Sequence, residues 1–220
     1  MMTGPNYVYK CPNCGNLLKN GSYLSWNNIG AEVFSDGKSI TKHPEFPDLT
    51  KCKKCDTIFW LSKLEEIVQY EWWRGVKNLN WIMADDAEFL NIEDYFRTLN
   101  EGLAENMEEE LYIRRQIWWA YNDRVRNGND PFVDVNDEIK WQENCNKLIS
   151  LLDESNLEER IMIAELKRNL GDFKSCLEII KTIDDDELND DDELNWLKDI
   201  FIAECEKGNK WVVKLQPVIE

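Results

Sequence analysis

The chain has 220 residues, 43% hydrophobic and 31% charged, with 26 Lys and Arg against 43 Asp and Glu and a formal net charge of −17. That length allows one medium domain or two small ones, and the apolar share builds a core, which excludes global disorder; the acidity opposes binding of the whole chain to phosphate backbones or anionic lipid. A single histidine excludes HExxH metalloproteases and any two-histidine mechanism, and no apolar run exceeds the five residues from Ile117 to Tyr121, so neither a transmembrane helix nor a signal-peptide core is expected.

The first 62 residues read as β structure. Four of the six prolines and five of the ten glycines precede Leu49. Short β runs extend from Tyr7 to Lys10, Ala31 to Ser35, Lys38 to Ile40 and Thr57 to Leu61. Ser35-Asp36-Gly37-Lys38 supplies a hairpin turn with glycine at the position that needs a positive φ. Two motifs dominate this stretch: Cys11-Pro12-Asn13-Cys14-Gly15 and Cys52-Lys53-Lys54-Cys55, with 37 residues between Cys14 and Cys52. Two residues between thiolates let a tight turn aim both sulfurs at one ion while its amides bond to them. Two such knuckles, Cys11, Cys14, Cys52 and Cys55, make a closed tetrahedral site for one structural zinc ion. Disulfides are disfavoured without a secretory signal, and a redox CxxC lacks a βαβ context. Sixty residues bury little core, and zinc, contributing on the order of 10 kcal/mol or more, is the usual remedy. Residues 1–62 are therefore expected to form a zinc ribbon.

From Ser62 the pattern turns helical, with helices expected over 62–73, 85–101, 104–127, 136–153, 157–170, 172–182 and 190–207; Ser62 and Glu65 read as a capping box for the first. The fold class is α+β, mostly α: a small N-terminal β zinc ribbon (1–62), then an acidic all-α bundle of antiparallel helical hairpins (63–220). Within 157–183, the stripe Ile163, Leu166, Leu170, the turn Leu170-Gly171-Asp172-Phe173 and the stripe Phe173, Cys176, Leu177, Ile180 look like one tetratricopeptide-type hairpin, without the three repeats that a solenoid needs. Cys145, Cys176 and Cys205 lie on apolar faces and read as core. The direct repeat Asp-Asp-Asp-Glu-Leu-Asn over 184–195 lacks EF-hand spacing and reads as a solvated linker into the last helix.

Charge divides unevenly. Residues 1–62 carry +2, offset by four thiolates around Zn²⁺, whereas residues 63–220 carry −19. Lys51, Lys53 and Lys54 surround the second knuckle, with Phe59 and Trp60 following; they are either nucleic-acid contacts or solvated lysines above packed aromatics. Among ten tryptophans, Trp119 falls on a polar stripe with Arg115, Asn122, Asp123 and Arg126. That stripe is a candidate interaction surface through cation–π and charge-assisted contacts, or it docks onto the zinc ribbon or a neighbouring helix with Asp123 and Arg126 as a structural pair.

Cys-Pro-x-Cys-Gly, a Ser-Asp-Gly-Lys turn, a second Cys-x-x-Cys followed by Phe59-Trp60-Leu61, the Trp118 to Asp123 stretch and the Leu170 to Phe173 hairpin together resemble a group of uncharacterised bacterial zinc-ribbon proteins with a tetratricopeptide-like helical tail. The resemblance implies a bacterial, cytoplasmic protein and no particular activity. No nucleophile–base pair, GxGxxG, GxxxxGK or GxSxG pattern occurs. The expected function is a non-enzymatic, zinc-binding protein–protein interaction or scaffold module with a protein partner, no membrane contact and no small-molecule substrate. The alternative is a nucleic-acid-associated factor working through Lys51, Lys53 and Lys54 of the ribbon only.

Overall fold

The computed structural model describes the chain except Met1, Trp72, Trp73, Lys77, 184–191 and 216–220, and for 192–196 describes the backbone alone. Among the described residues the protein is mixed α and β, with small sheets and seven helices. In chain order the elements are β1 (Met2–Thr3), β2 (Asn6–Lys10), β3 (Leu17–Asn20), β4 (Tyr23–Ser25), β5 (Glu32–Val33), β6 (Ser39–Ile40), β7 (Leu49–Lys51), β8 (Ile58–Trp60), β9 (Val68–Tyr70), α1 (Leu79–Ile82), β10 (Asp85–Asp86), α2 (Ile92–Asn100), α3 (Met107–Arg126), α4 (Val135–Ile149), α5 (Leu157–Asn169), α6 (Phe173–Lys181) and α7 (Asp192–Glu206). No helix among the described residues is long and apolar enough to cross a membrane.

Two compact units emerge: Met1–Gly30 with Thr41–Leu103, and Ala31–Ile40 with Ala104–Glu220. Both differ from the expected division at residue 62. Residues 63–103 belong with the cysteine-bearing strands, and the hairpin 31–40 belongs with the helices. The first unit carries a net −2 and the second −15.

In the first unit β2 is flanked by β3 and β9, both antiparallel to it, and β10 joins β3 in parallel. β7 and β8 form a separate hairpin. Val8, Leu18, Leu49, Phe59 and Leu61 are buried beneath these strands. The helix expected over 62–73 is not formed: Val68–Tyr70 is strand β9, and Trp72 and Trp73 lie outside the described residues. Ser62 is no cap; its amide and hydroxyl both donate to Asp48, at 2.7 and 2.6 Å. The helix expected from residue 85 starts only at Ile92. Asp85 and Asp86 are held as β10 by Asn16, whose amide donates to Asp85 at 2.8 Å, and by Ala87 N–H donating to the Lys19 carbonyl.

Helices α2 to α6 start where the sequence supplies a cap. Asn91, Asn106, Asp134, Asn156 and Asp172 each accept, through the side chain, the amide three residues on (2.9, 2.9, 2.9, 3.1 and 3.2 Å), which satisfies an otherwise orphaned donor. In the second unit the buried face of α3 (Ile113, Ile117, Trp118, Tyr121) packs with that of α4 (Trp141, Cys145, Leu148). α5 turns into α6 at Gly171, whose φ of +81° suits the absence of a side chain. A second core joins Ala164, Cys176, Ile180, Leu197, Phe201 and Cys205 across α5, α6 and α7. The expected starts and ends of α3 to α7 hold to within a few residues. Of the direct repeat, 184–191 lie outside the described residues, and its last four residues, from Asp192, open α7.

Candidate metal centre

The two knuckles are built alike. In the first, Gly15 N–H donates to the Cys11 carbonyl (3.0 Å) and Cys11 N–H to the Asn16 carbonyl (2.8 Å); in the second, Asp56 N–H donates to the Cys52 carbonyl (2.9 Å) and Cys52 N–H to the Thr57 carbonyl (2.9 Å). The residue after each second cysteine is left-handed, Gly15 at φ +70° and Asp56 at φ +62°. Asp56 is the only described non-glycine residue with positive φ, and it occupies the position that glycine fills in the first knuckle. Each knuckle sits at the tip of a hairpin, β2–β3 and β7–β8, so the strand pairings set where the turns point.

The four sulfurs converge within 4.8 Å of one another. Cys11 Sγ lies 3.5 Å from Cys55 Sγ, and Cys14 Sγ 3.7 Å from Cys52 Sγ. A tetrahedral ion with metal–sulfur bonds of about 2.3 Å separates its ligands by about 3.8 Å. Cys11, Cys14, Cys52 and Cys55 thus form a candidate metal-binding group whose geometry is consistent with zinc. Cys11 and Cys52 are buried on Leu18, Phe59 and Leu61, while Cys14 is exposed.

The thiols are electrostatically unequal. The Thr57 hydroxyl, 3.3 Å from the Cys55 sulfur, and the Thr57 amide lower the Cys55 pKa to about 6. Against the Asn16 amide, which lowers it, desolvation and the three neighbouring thiols push Cys14 up to about 12. Burial raises Cys11, although the Cys14 and Asn13 amides point at its sulfur. Four thiolates so close need a cation between them, which a divalent metal supplies while displacing their protons.

The other cysteines are core. Cys145, Cys176 and Cys205 are buried, and burial pushes each thiol's pKa up, away from nucleophilic character. His43 is half-buried with its ring edge-on to Tyr23.

Two of the three lysines of the second knuckle have carboxylate partners. Lys51 Nζ is 2.7 Å from Asp94 and 3.6 Å from Asp56, and Lys53 Nζ is 2.6 Å from Glu88; Lys54 is exposed. Phe59 packs under Cys11 and Cys52, and the Trp60 indole donates to the Leu103 carbonyl at 3.0 Å.

The Trp119 stripe is covered by the tip of the β5–β6 hairpin. Trp119 Nε1 donates to the Asp36 carbonyl (3.0 Å), Asn122 Nδ2 to the Asp36 carboxylate (2.8 Å), and Lys38 Nζ to Asp123 (2.6 Å). Arg126 pairs with both Asp36 and Asp123, and the Arg115 guanidinium stacks 5.1 Å from the Trp119 ring. Asp36 and Asn122 are fully enclosed. These five residues therefore anchor an intramolecular contact.

A buried polar cluster lies beside it that sequence reasoning missed. Arg168 and Glu165, i and i+3 reversed on α5, are both 0% exposed. Arg168 Nε donates to Glu165 at 2.8 Å and Arg168 Nη2 to Ser35 Oγ at 3.2 Å, Ser35 Oγ donates to Glu165 at 2.7 Å, and Arg168 also donates to the carbonyls of Asn209 (2.7 Å) and Trp211 (2.9 Å). Helical i, i+3 charge pairs are too common on exposed faces to announce a buried one. Comparison with known proteins finds no matching family model, no similar curated protein and no similar solved structure.

Proposed function

We propose that the four cysteines hold one structural Zn²⁺ in a ribbon-like site, and that the chain is a non-enzymatic protein-interaction module of a reducing, cytoplasmic compartment. The observation that carries this reading is the pair of matching knuckles whose four sulfurs converge. Four protein ligands fill a tetrahedral shell and leave no position for a reacting water. The hairpin of α5 and α6, with its Leu-Gly-x-Phe turn, supports a tetratricopeptide-like reading of the helical unit, and such modules act by binding proteins. The nucleic-acid alternative draws less support, because Lys51 and Lys53 already have carboxylate partners. Affinity purification from the native host tests the module reading: a specific protein partner is expected, and recovery of none contradicts it. Salt-sensitive RNA or DNA binding abolished by charge reversal at Lys51, Lys53 and Lys54 would favour the alternative.

A further inference from the structure

We propose that the slot between the β5–β6 hairpin and α5 is a binding site for an extended peptide carrying an aromatic residue between lysines, which the chain fills in cis with its own segment Asn209–Leu215; this rests on the interaction-module reading and names the partner's chemistry. The slot reads backbone. Arg168 donates to the carbonyls of Asn209 and Trp211 (2.7 and 2.9 Å), and Asn169 Nδ2 donates to that of Lys210 (2.8 Å). Ser35 N–H donates to the Val213 carbonyl (2.9 Å), Val213 N–H to Ser35 Oγ (3.0 Å), and Leu215 N–H to the Val33 carbonyl (2.8 Å). Main-chain recognition of this kind is strand addition, and it accepts any extended chain whose side chains fit the flanking pockets.

Two features select those side chains. Trp211 packs on Phe132 and the fully buried Trp141, at ring separations of 5.8 and 5.9 Å. Lys210 Nζ lies over the Trp141 and Trp211 rings, and Lys214 pairs with Glu32. Lys210 and Lys214 make the segment purely basic, on a unit of net −15. On the receptor side Arg168 is held by Glu165, a contact that does not involve the segment, and with the segment in place Arg168 and Asn169 are fully enclosed. The segment itself follows α7 through Gly208, a left-handed residue that ends the helix.

The probe is a fluorescein-labelled peptide with the sequence of residues 207–215, added to the full chain. In the wild type the tethered segment competes, so anisotropy should report weak binding. Trp211→Ala in the full chain weakens the cis occupant, and the peptide should then bind at least tenfold more tightly, whereas a peptide with proline in place of Val213 should not bind. Equal affinity for wild type and variant, or equal binding of the proline peptide, overturns the proposal. Should the variant not fold, hydrogen exchange in the wild type decides. Saturating peptide should accelerate exchange of the Val213 and Leu215 amides and leave those of α3 and α5 unchanged; exchange of all of them only through a common opening overturns it. A chain that binds the peptide but captures no protein from its host would contradict the module reading alone.

Discussion

Arg168→Met tests the energetics of the buried cluster. The substitution keeps most of the side-chain volume and removes the donors to Glu165, Ser35 Oγ and the carbonyls of Asn209 and Trp211. It leaves the Glu165 carboxyl fully enclosed without its cation. Breaking a buried pair in this way costs about 3–5 kcal/mol, because a charge is stranded rather than replaced. For a chain of this length that lowers Tm by about 10 °C. The cost should depend on pH. Burial already raises the Glu165 pKa above its ordinary 4.5, with Arg168 opposing; without Arg168 it rises further. Above 4.5 the folded state then binds more protons than the unfolded state, so stability falls as pH rises. Urea unfolding followed by circular dichroism, on wild type and variant at pH 5 and pH 8, should show a clearly larger loss at pH 8. The double variant Glu165→Gln, Arg168→Met should recover a large part of it, since a neutral pair strands no charge. A cost under about 1 kcal/mol, or the same cost at both pH values, would refute the reasoning.

Other predictions concern the knuckles. Asp56→Gly should stabilise the first unit by about 1 kcal/mol and Gly15→Ala should destabilise it by about 1–2 kcal/mol, read from denaturant midpoints, because a left-handed φ strains any residue with a Cβ and nothing crowds the Cβ position at Gly15. Cys11→Ser or Cys52→Ser should abolish stoichiometric metal and deprotect the β2 and β3 amides to exchange, since metal binding contributes on the order of 10 kcal/mol. Zinc binding at pH 7 should release protons, as Cys14 at about 12 and the raised Cys11 hold theirs without a metal; calorimetry in buffers of different ionisation enthalpy measures the number, and zero release would contradict thiolate ligation.

The candidate metal centre was legible because its signal is local: each knuckle is a five-residue turn whose ligands, amides and left-handed closing residue are contiguous. α3 to α7 were legible for a similar reason, through apolar stripes at helical spacing. The turn at Ser35 to Lys38 was visible too, but not where it goes. A hairpin with two-residue strands has its place set by partners such as Asn122, Arg126, Glu165 and Arg168, which lie far along the chain. Val68–Tyr70 shows the same limit from the other side. Its residues suit a helix as well as a strand, and the pairing with β2 decides. Asp85 and Asp86 are poor strand formers held in place by a single parallel pairing. The Trp119 stripe stood out as a polar stripe around an aromatic ring, but the hairpin tip that covers it, at Asp36, lies 83 residues before Trp119, beyond any local pattern.

The central claim is one structural zinc ion on Cys11, Cys14, Cys52 and Cys55. Elemental analysis of the purified full chain, paired with the absorption spectrum of its cobalt-exchanged form, tests it most directly. One zinc per chain and the intense sulfur-to-cobalt charge-transfer bands of a tetrahedral four-thiolate site are the predicted result. A chain that folds with its knuckles intact and holds no stoichiometric metal would contradict it.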